Sequence, residues 1–445
     1  MSWFLRISIV VSLIIFPRLT FAEGFYVDPQ SVEGMGLAQA GAAVGYDDGS
    51  AGFYNPAALS TYDKPVVSMQ LHAFNPSARF HDQGSSVAGS TNTGTNIADG
   101  GRDAALPIVY LAAPISERIA ASVYINSPFG LGTQYPKDWV GRYQALESSM
   151  RLVNLGSAAA VDLGSGFSIG SGISAIYAEA TLSTAIDFGS IGQAAFGAER
   201  ASSLGLKPQM NDGLVEVKAS DWGMGWNSGA LYRYGQKSRN RIGISYRGLT
   251  DLHFHNGSAE FQVPDSAKIL TSTGAFRDTG ARSSLSLPGS ATFGSKTHLN
   301  DRWILFQQST WTEWSKVQNL TVEFDNPLQP PAAVPQDWND TWFHSVALAH
   351  KPTERVVLRA GVGYENAIVP NSTRRYPRLP TSDSVWASAG VGIDFPETKA
   401  KLDLSFTRVD YRGGREDSVG ATGDRLRGNW SVATNAVGTA LTFYW

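Results

Sequence analysis

From Pro65 onward, large apolar side chains alternate with small or polar ones along many segments of the chain. Between positions 222 and 232 the even positions are mostly large and apolar, and the odd positions are mostly glycine or polar. The same alternation recurs in 241–247, 358–364 and 402–407. A β-strand sends successive side chains to opposite faces, so each segment predicts a strand with one apolar and one small or polar face.

Arginines on the small or polar face indicate where that face lies. Arg241, Arg247 and Arg359 alternate with the large apolar residues of their strands. Unpaired arginines would be unfavourable in the dry core of a soluble sandwich. In a membrane barrel the apolar face contacts lipid and the polar face lines the lumen. The pattern therefore favours an all-β fold, a transmembrane antiparallel β-barrel that occupies residues 65–445.

The connections between the predicted strands alternate in length, which gives a strand count. The short connections are 114–118, 164–166, 235–240, 298–301, 351–354 and 396–399. The long ones, rich in Gly, Ser, Asn, Thr and Pro, are 81–105, 130–149, 184–219, 255–283, 325–340, 365–383 and 413–428. Short periplasmic turns and long extracellular loops are typical of outer-membrane barrels, and six turns with seven loops imply about 14 strands.

The N-terminus has the features of a secretory signal peptide over residues 1–22. Arg6 precedes an apolar run from Ile7 to Phe16, and Thr20 and Ala22 place small residues where a cleavage site needs them. The alternative is a buried N-terminal helix. After Ala22 the sequence has no run of eighteen apolar residues, so no membrane-spanning helix is predicted. We therefore expect the exported chain to span a membrane with strands.

The two ends of the mature chain differ from the strands between them. Residues 23–64 lack sustained alternation, and 34–45 are small and weakly apolar, so we expect short helices and turns that plug the lumen as a hatch. The last predicted strand, from Trp430 to Trp445, ends on an aromatic residue. A terminal aromatic is what the barrel-assembly machinery typically reads, although a sandwich strand can also end in tryptophan.

Composition excludes several classes of function. The 445 residues include no cysteine, which excludes disulfides, thiol catalysis and thiolate metal sites. A net charge of −3 gives no indication of nucleic-acid binding. His253 and His255 share a strand face without a third ligand nearby, so no metal or other cofactor is predicted. The motif Gly166–Gly170 matches G-x-S-x-G, but a turn into a strand is the wrong context for a catalytic serine.

Several motifs, in order, resemble those of the FadL-type transporters of long-chain fatty acids and other hydrophobic compounds. The segment 49–59 contains Asn55, Pro56 and Ala57, which match the family's hatch signature. Further matches are Gly24-Phe25, 221–229, 285–288 and 311–315. The resemblance covers essentially the whole mature chain. It implies an outer-membrane monomer that takes up long-chain fatty acids passively and is not an enzyme.

The resemblance also implies a route. An apolar ligand is captured among the extracellular loops, passes to a pocket beside the hatch, and leaves sideways into outer-membrane lipid through a kink in the third strand. The matching segment is Asn126, Ser127, Pro128, Phe129 and Gly130; Pro128 cannot donate to the ladder, so we expect pairing to break there. An ordinary strand end is the alternative.

Apolar residues of the hatch and loops are candidate ligand contacts. They are Phe25 and Tyr26 in the hatch, Leu131 and Trp139 in the second long loop, and Ile186, Phe188, Ile191 and Phe196 in the third. Ile191, Ala194, Ala195 and Ala198 have the spacing of one face of a short helix. That face either contacts ligand or only packs the loop against the rest of the protein.

One departure from the family leaves the ligand open. Fatty acid members place basic residues to meet a carboxylate, but 177–182 contains no Lys or Arg. Arg374, Arg375 and Arg378 lie in a loop and cannot be matched to the family position. Neutral aromatic or aliphatic hydrocarbons taken up by the same route are therefore the alternative substrates. A lipid-modifying barrel enzyme and a diffusion porin are further alternatives from other classes.

Overall fold

The fold is a closed antiparallel β-barrel, seen in a computed structural model that describes residues 25–420 and 422–445. The barrel has fourteen strands within the described part of the chain, labelled here in chain order. They are β1 (Val66–Asp82), β2 (Ala104–Pro114), β3 (Ile119–Asn126 and Gly130–Gln134), β4 (Glu147–Gly164), β5 (Phe167–Asp187), β6 (Asp212–Tyr234), β7 (Asn240–Arg247 and Thr250–Gln262), β8 (Thr279–Leu287 and Ser290–His298), β9 (Trp303–Thr312 and Asn319–Phe324), β10 (Ala332–Pro335 and Thr341–His350), β11 (Val356–Glu365), β12 (Ser384–Phe395), β13 (Ala400–Tyr411 and Gly414–Val419) and β14 (Arg425–Tyr444).

Each strand pairs with the next, and β14 closes the barrel on β1. The closing register runs from Val66 opposite Tyr444 to Asp82 opposite Gly428. The pairing of β14 with β1 removes the two outer edges of the sheet, as a sheet in hydrocarbon requires. The predicted fold class is confirmed. None of the helices in the described residues is long and apolar enough to cross a membrane.

The outer and inner faces follow the alternation of the sequence. Trp222, Met224 and Trp226 on β6 point outward and are exposed, whereas Gly223 lies buried between them on the luminal side. Exposed aromatic and aliphatic side chains on the outer face are what a lipid environment stabilises. The residues between them are small because the lumen is filled.

The strands extend further on the extracellular side than the composition indicates. β5 and β6 reach Asp187 and Asp212, within the region predicted as a loop at 184–219. β13 and β14 leave only 420–424 between them, where 413–428 was predicted. Above the membrane the outward face meets water, so polar residues occupy both faces and the alternation that marks a strand disappears. The predicted signal peptide, 1–22, lies outside the described residues.

Residues 25–64, which we call the hatch segment, fold into short helical turns inside the barrel. These are α1 (Val32–Met35), a 3₁₀ turn (Ala42–Val44), α2 (Ala51–Tyr54) and a second 3₁₀ turn (Pro56–Thr61). Luminal glycines let the two backbones approach closely. A Cβ added at Gly243 would lie 2.0 Å from the Ala43 carbonyl oxygen, and one at Gly361 would lie 2.5 Å from the Leu37 carbonyl carbon.

A buried group of charges fastens the hatch segment to the barrel wall. Lys401 Nζ lies 2.8 Å from Glu33 Oε2, and Arg359 Nη1 lies 2.7 Å from Asp403 Oδ1. Arg359 Nη2 is 3.4 Å from Glu33 Oε1, which joins the two pairs. Removing one member of such a buried group leaves an uncompensated charge, so the group fixes the position of α1 against β11 and β13.

Asn55 holds the middle of the hatch segment. Its Nδ2 donates to the carbonyl oxygens of Ala43, at 2.6 Å, and Ala230, at 3.2 Å. Its Oδ1 accepts from the Ala57 amide at 3.1 Å and so caps the second 3₁₀ turn. One side chain thus joins two parts of the hatch segment to β6.

We expect Asn55→Ala to loosen the hatch segment while the barrel remains folded. The variant loses the cap and the hydrogen bonds that Asn55 Nδ2 donates to the carbonyl oxygens of Ala43 and Ala230. This loss should lower the local stability by about 1–3 kcal/mol. Hydrogen–deuterium exchange of residues 42–61 should accelerate, with heat-modifiable gel mobility unchanged. Ser60→Ala is the matched control, because within the described residues the Ser60 hydroxyl bonds only to the nearby Ala57 carbonyl oxygen. Equal exchange in both variants would show that Asn55 is not the anchor.

Candidate ligand cavity and strand interruption

An apolar cavity of about 990 Å³, including its open mouth, lies in the extracellular half of the barrel above the hatch segment. Its walls are side chains that point inward from the extracellular ends of the strands and from the loop 366–383. The apolar lining consists mainly of Phe25, Leu131, Met150, Leu182, Val217, Phe254, Leu285, Val317, Leu320, Val322, Trp338 and Leu379. A cavity with such walls favours a ligand that is mostly hydrocarbon.

Aromatic rings form the floor of the cavity. The Phe25 ring centroid lies 4.9 Å from that of Trp314 in an edge-to-face contact and 5.8 Å from that of Trp338. Phe129 of the β3 interruption lies 6.0 Å from Phe25 on another side. Phe25 is the first described residue of the hatch segment, so the position of that segment determines whether the floor is closed.

A second apolar space of about 480 Å³ adjoins the cavity on its extracellular side. It lies between the upper parts of β5 and β6 and the hairpin made by Asn319–Phe324 and Ala332–Pro335. Arg378 lines both spaces. The two spaces together form a path from the loops to the cavity, and Arg378 stands where they meet.

The Arg378 guanidinium has hydrogen-bond partners but no ion-pair partner within the described residues. Its Nη1 donates to Ser148 Oγ at 2.9 Å and to the Glu147 carbonyl oxygen at 3.1 Å. Burial lowers the pKa of Arg378 to about 10, which leaves it protonated at neutral pH. Arg374, the other cation at the cavity, already pairs with Asp337 at 2.5 Å. Arg378 is therefore the cation available to an anionic ligand.

The β3 ladder is interrupted at Ser127, Pro128 and Phe129. Pairing with β2 ends at Ile125, opposite Val109, and pairing with β4 resumes at Gly130. These three residues stand opposite two of β4, so the interruption is also a bulge. Next to it, residues 104–108 of β2 pair with β1 only, which leaves a gap in the wall between β2 and β3.

The beginning of the hatch segment occupies this gap with its backbone. The Val27 amide donates to the Pro128 carbonyl oxygen at 2.8 Å, and the Gly130 amide donates to the Phe25 carbonyl oxygen at 2.7 Å. Residues 25–27 therefore act as a short partner strand where β2 and β3 separate. Phe25 closes the cavity floor and part of the wall opening at once.

Gln30 joins the hatch segment to the interruption through its side chain. Its Nε2 donates to the carbonyl oxygens of Ser127 and Val27, at 2.9 and 2.7 Å, and its Oε1 accepts from the Ser127 amide at 3.1 Å. The Tyr110 hydroxyl on β2 donates to the Gln30 carbonyl oxygen at 2.7 Å. Gln30 thus bonds to both sides of the gap.

The candidate ligand contacts from the sequence lie in three different places. Phe25 and Leu131 line the apolar cavity. Tyr26 packs against Phe129 at 5.0 Å and borders a separate chamber below the floor. Trp139 is fully buried in a cluster of rings, 4.2 Å from Tyr135, and does not border the cavity.

The third-loop residues form their own cluster outside the cavity. Ile186, Phe188, Ile191 and Phe196 pack with residues of the fourth loop, such as Leu270. The loop contains α3 (Phe188–Phe196) and α4 (Ala198–Ser203), so the proposed face from Ile191 to Ala198 spans two helices separated by Gly197. Gly197 has a φ of +80°, which ends α3 before Ala198. Ligand contact by these four residues stays a prediction.

The sequence reasoning missed most of the cavity wall. Val217, Phe254 and Leu285 belong to the positions that face the lumen, yet they are large. The available signal was a reversal of the alternation, because Leu252 and Phe254 place large side chains on the side that is elsewhere small or polar. That reversal marks where the lumen becomes an apolar binding space.

We expect Gln30→Leu to release the hatch segment from β3. The change removes two hydrogen bonds to Ser127 and one to Val27, so exchange of the Val27 and Gly130 amides should accelerate about tenfold. Gln308→Leu is the matched control, since Gln308 holds the hatch segment at Ala42 instead. If both variants accelerate the same amides equally, Gln30 has no specific role at the opening.

Comparison with known proteins agrees with this architecture. The family model described as outer membrane protein transport protein (OMPP1/FadL/TodX) matches residues 13–444. The long-chain fatty acid transport protein of Escherichia coli K12 is 24% identical over 437 residues, which cover 94% of this chain and 93% of that protein. The putative outer membrane protein NMB0088 of Neisseria meningitidis is 25% identical over 444 residues, covering 92% and 93%.

Solved structures show the same fold. A crystal structure of a Pseudomonas aeruginosa FadL homologue superimposes with a TM-score of 0.85 at 23% identity and covers 94% of this chain and 99% of that one. The toluene transporter TodX of P. putida gives a TM-score of 0.63 at 19% identity, covering 90% and 95%. The chain belongs to the OMPP1/FadL/TodX family of outer-membrane transport proteins, whose members carry hydrophobic compounds.

Proposed function

We propose that this outer-membrane transporter takes up long-chain fatty acids passively, by capture among the extracellular loops, transfer to the apolar cavity, rearrangement of the hatch segment and lateral exit at the β3 interruption. The main support for this proposal is Arg378, a cation without an ion-pair partner among the described residues. It lies where the outer apolar space meets the cavity. An acyl chain would occupy the cavity and its carboxylate would bond to Arg378.

The energetics favour capture and then require a release step. Burial stabilises each methylene by about 0.8 kcal/mol, so a chain of roughly 15 methylenes gains on the order of 12 kcal/mol gross. Transfer to membrane lipid offers a similar gain, because it too removes the chain from water. A passive carrier must therefore weaken its own site before the ligand leaves.

Movement of residues 25–30 would weaken the site and open the wall together. Phe25 forms the cavity floor, and its carbonyl oxygen accepts from Gly130 at the gap. Withdrawing this segment removes a wall of the cavity and uncovers the space between β2 and β3. The rest of the hatch segment lies in the lumen below, so the sideways path into lipid is the shorter one for an acyl chain.

Neutral aromatic or aliphatic hydrocarbons are the second candidate substrates. The cavity walls are predominantly apolar, and Arg374 is already paired with Asp337. Structures of the same fold include proteins described as toluene transporters. The route would be the same, with Arg378 making no contribution to affinity.

The head group decides between the two candidates. We expect Arg378→Leu to reduce the preference for oleate over oleyl alcohol by about tenfold, because a charge-assisted hydrogen bond to the carboxylate is lost. Competition binding to the purified protein measures the ratio. Arg374→Leu is the matched control and should keep the preference. An unchanged ratio in Arg378→Leu would favour neutral substrates.

The exit route has its own test. Pro128→Val with Gly130→Val should extend ladder pairing across the interruption and reduce uptake of labelled oleate by cells that lack another transporter. Pro114→Val changes a proline at the other end of β2, where the strand pairs normally with Ala120, and should leave uptake unchanged. Undiminished uptake by the double variant, inserted normally, would exclude exit at β3.

A further inference from the structure

A second chamber lies below the aromatic floor, between the hatch segment and the strands β8 to β12. The free space between its lining residues, with the adjoining open solvent included, is about 620 Å³, and its lining is as polar as it is apolar. Phe25 faces the apolar cavity, whereas Trp314 and Tyr26 border the chamber, so the Phe25–Trp314 contact separates the two spaces. The chamber is thus distinct from the proposed fatty acid site.

Glu365 brings a carboxylate to this chamber without any compensating charge. It ends β11, is 7% exposed and borders the chamber. No basic side chain in 25–420 or 422–445 forms an ion pair with it, and its carboxylate has no hydrogen-bond donor there. A buried carboxylate without a partner is unfavourable when charged, so it must either bind a proton or pair with a cation from solution.

A second acid reaches the same chamber from the hatch segment. Asp28 borders it, and the Oδ1 of Asp28 is buried without a hydrogen-bond partner in the part of the chain that the structure describes. Burial raises the pKa of Asp28 to about 7, against a smaller opposing effect of Arg247. Arg247 stacks on the Phe53 ring, 3.9 Å from its centroid, and donates to the Phe53 carbonyl oxygen, so it leaves Glu365 uncompensated.

An unpaired amide group also faces the chamber. Gln39 is 1% exposed, its Oε1 accepts from the Tyr54 hydroxyl at 3.2 Å, and its Nε2 has no partner among the described residues. Either end of an amide can be turned toward a ligand, so Gln39 offers a hydrogen bond to a polar group. Buried amides are normally satisfied, which makes an occupant of the chamber the natural partner.

Aromatic rings complete the walls. Tyr26, Tyr54, Trp314, Phe343 and Trp386 all border the chamber. Aromatic faces together with carboxylates attract organic ammonium ions, whereas hard metal ions require several oxygen or nitrogen ligands. The described residues contain no group of three or more His, Cys, Asp or Glu that could hold a metal. We propose that this chamber is a binding site for small organic ammonium ions such as choline.

The experiment compares a cation with its uncharged counterpart. Choline chloride and its neutral carbon analogue dimethylbutanol are titrated into the full-length protein in dodecyl maltoside, at ionic strength held constant with NaCl. Tryptophan fluorescence, to which Trp314 and Trp386 contribute, and calorimetry report binding. Choline should bind at least about tenfold more tightly than the neutral analogue, because the analogue lacks the charge.

Variants locate the site. Glu365→Gln keeps the shape of the side chain and should weaken choline binding by about tenfold or more, while the ratio for oleate and oleyl alcohol stays unchanged. Glu323→Gln, at an exposed position on β9, is the matched control and should bind choline normally. Equal affinity for choline and dimethylbutanol, absence of binding, or normal choline binding by Glu365→Gln would each overturn the proposal. The ratio of the affinities for oleate and oleyl alcohol, measured on the unmodified protein, tests the fatty acid proposal separately.

Discussion

Backbone pairing in a medium without water is the constraint on which the rest of this structure depends. Each amide and carbonyl at membrane depth must find a partner within the protein, so the sheet closes on itself through β1 and β14. The wall can open only where another backbone supplies the missing partners. Residues 25–27 do so at the β3 interruption, through bonds to Pro128 and Gly130. The β3 side of the gap thereby keeps backbone partners at Pro128 and Gly130 while the hatch segment is in place.

The hatch segment is held by contacts of different strength along its length. Its middle is fixed by Asn55 and by the close approach of luminal glycines, and α1 is fixed by the charges around Arg359. Its beginning is held at β3 by neutral hydrogen bonds and ring contacts. Neutral bonds break at a lower free-energy cost than a buried ion group. A rearrangement confined to residues 25–30 therefore leaves the remaining hatch segment and the barrel intact.

The interior divides into two spaces of opposite chemistry on either side of Phe25 and Trp314. Above them the walls are apolar, and Arg378 is a cation without an ion-pair partner among the described residues. Below them the walls are mixed, and the lining contains the acids Asp28 and Glu365 but no Lys or Arg. An anionic ligand is therefore attracted to the upper space and finds no cation in the lining of the lower one. This difference supports the proposed sideways exit of a fatty acid over movement along the barrel axis.

The sequence by itself determined the barrel, its strand number, its lipid-facing positions and the place where β3 cannot pair, because alternation and proline act locally along the chain. It pointed to Phe25 and Leu131 at the cavity but gave no role to Arg378 or Glu365. Only the tertiary structure decided those roles. Gln30 and Ser127 are 97 positions apart, and the cavity collects side chains from the strands β3 to β9. Whether a charged side chain has an ion-pair partner depends on which groups lie close together in the folded chain. A local sequence pattern does not contain that information.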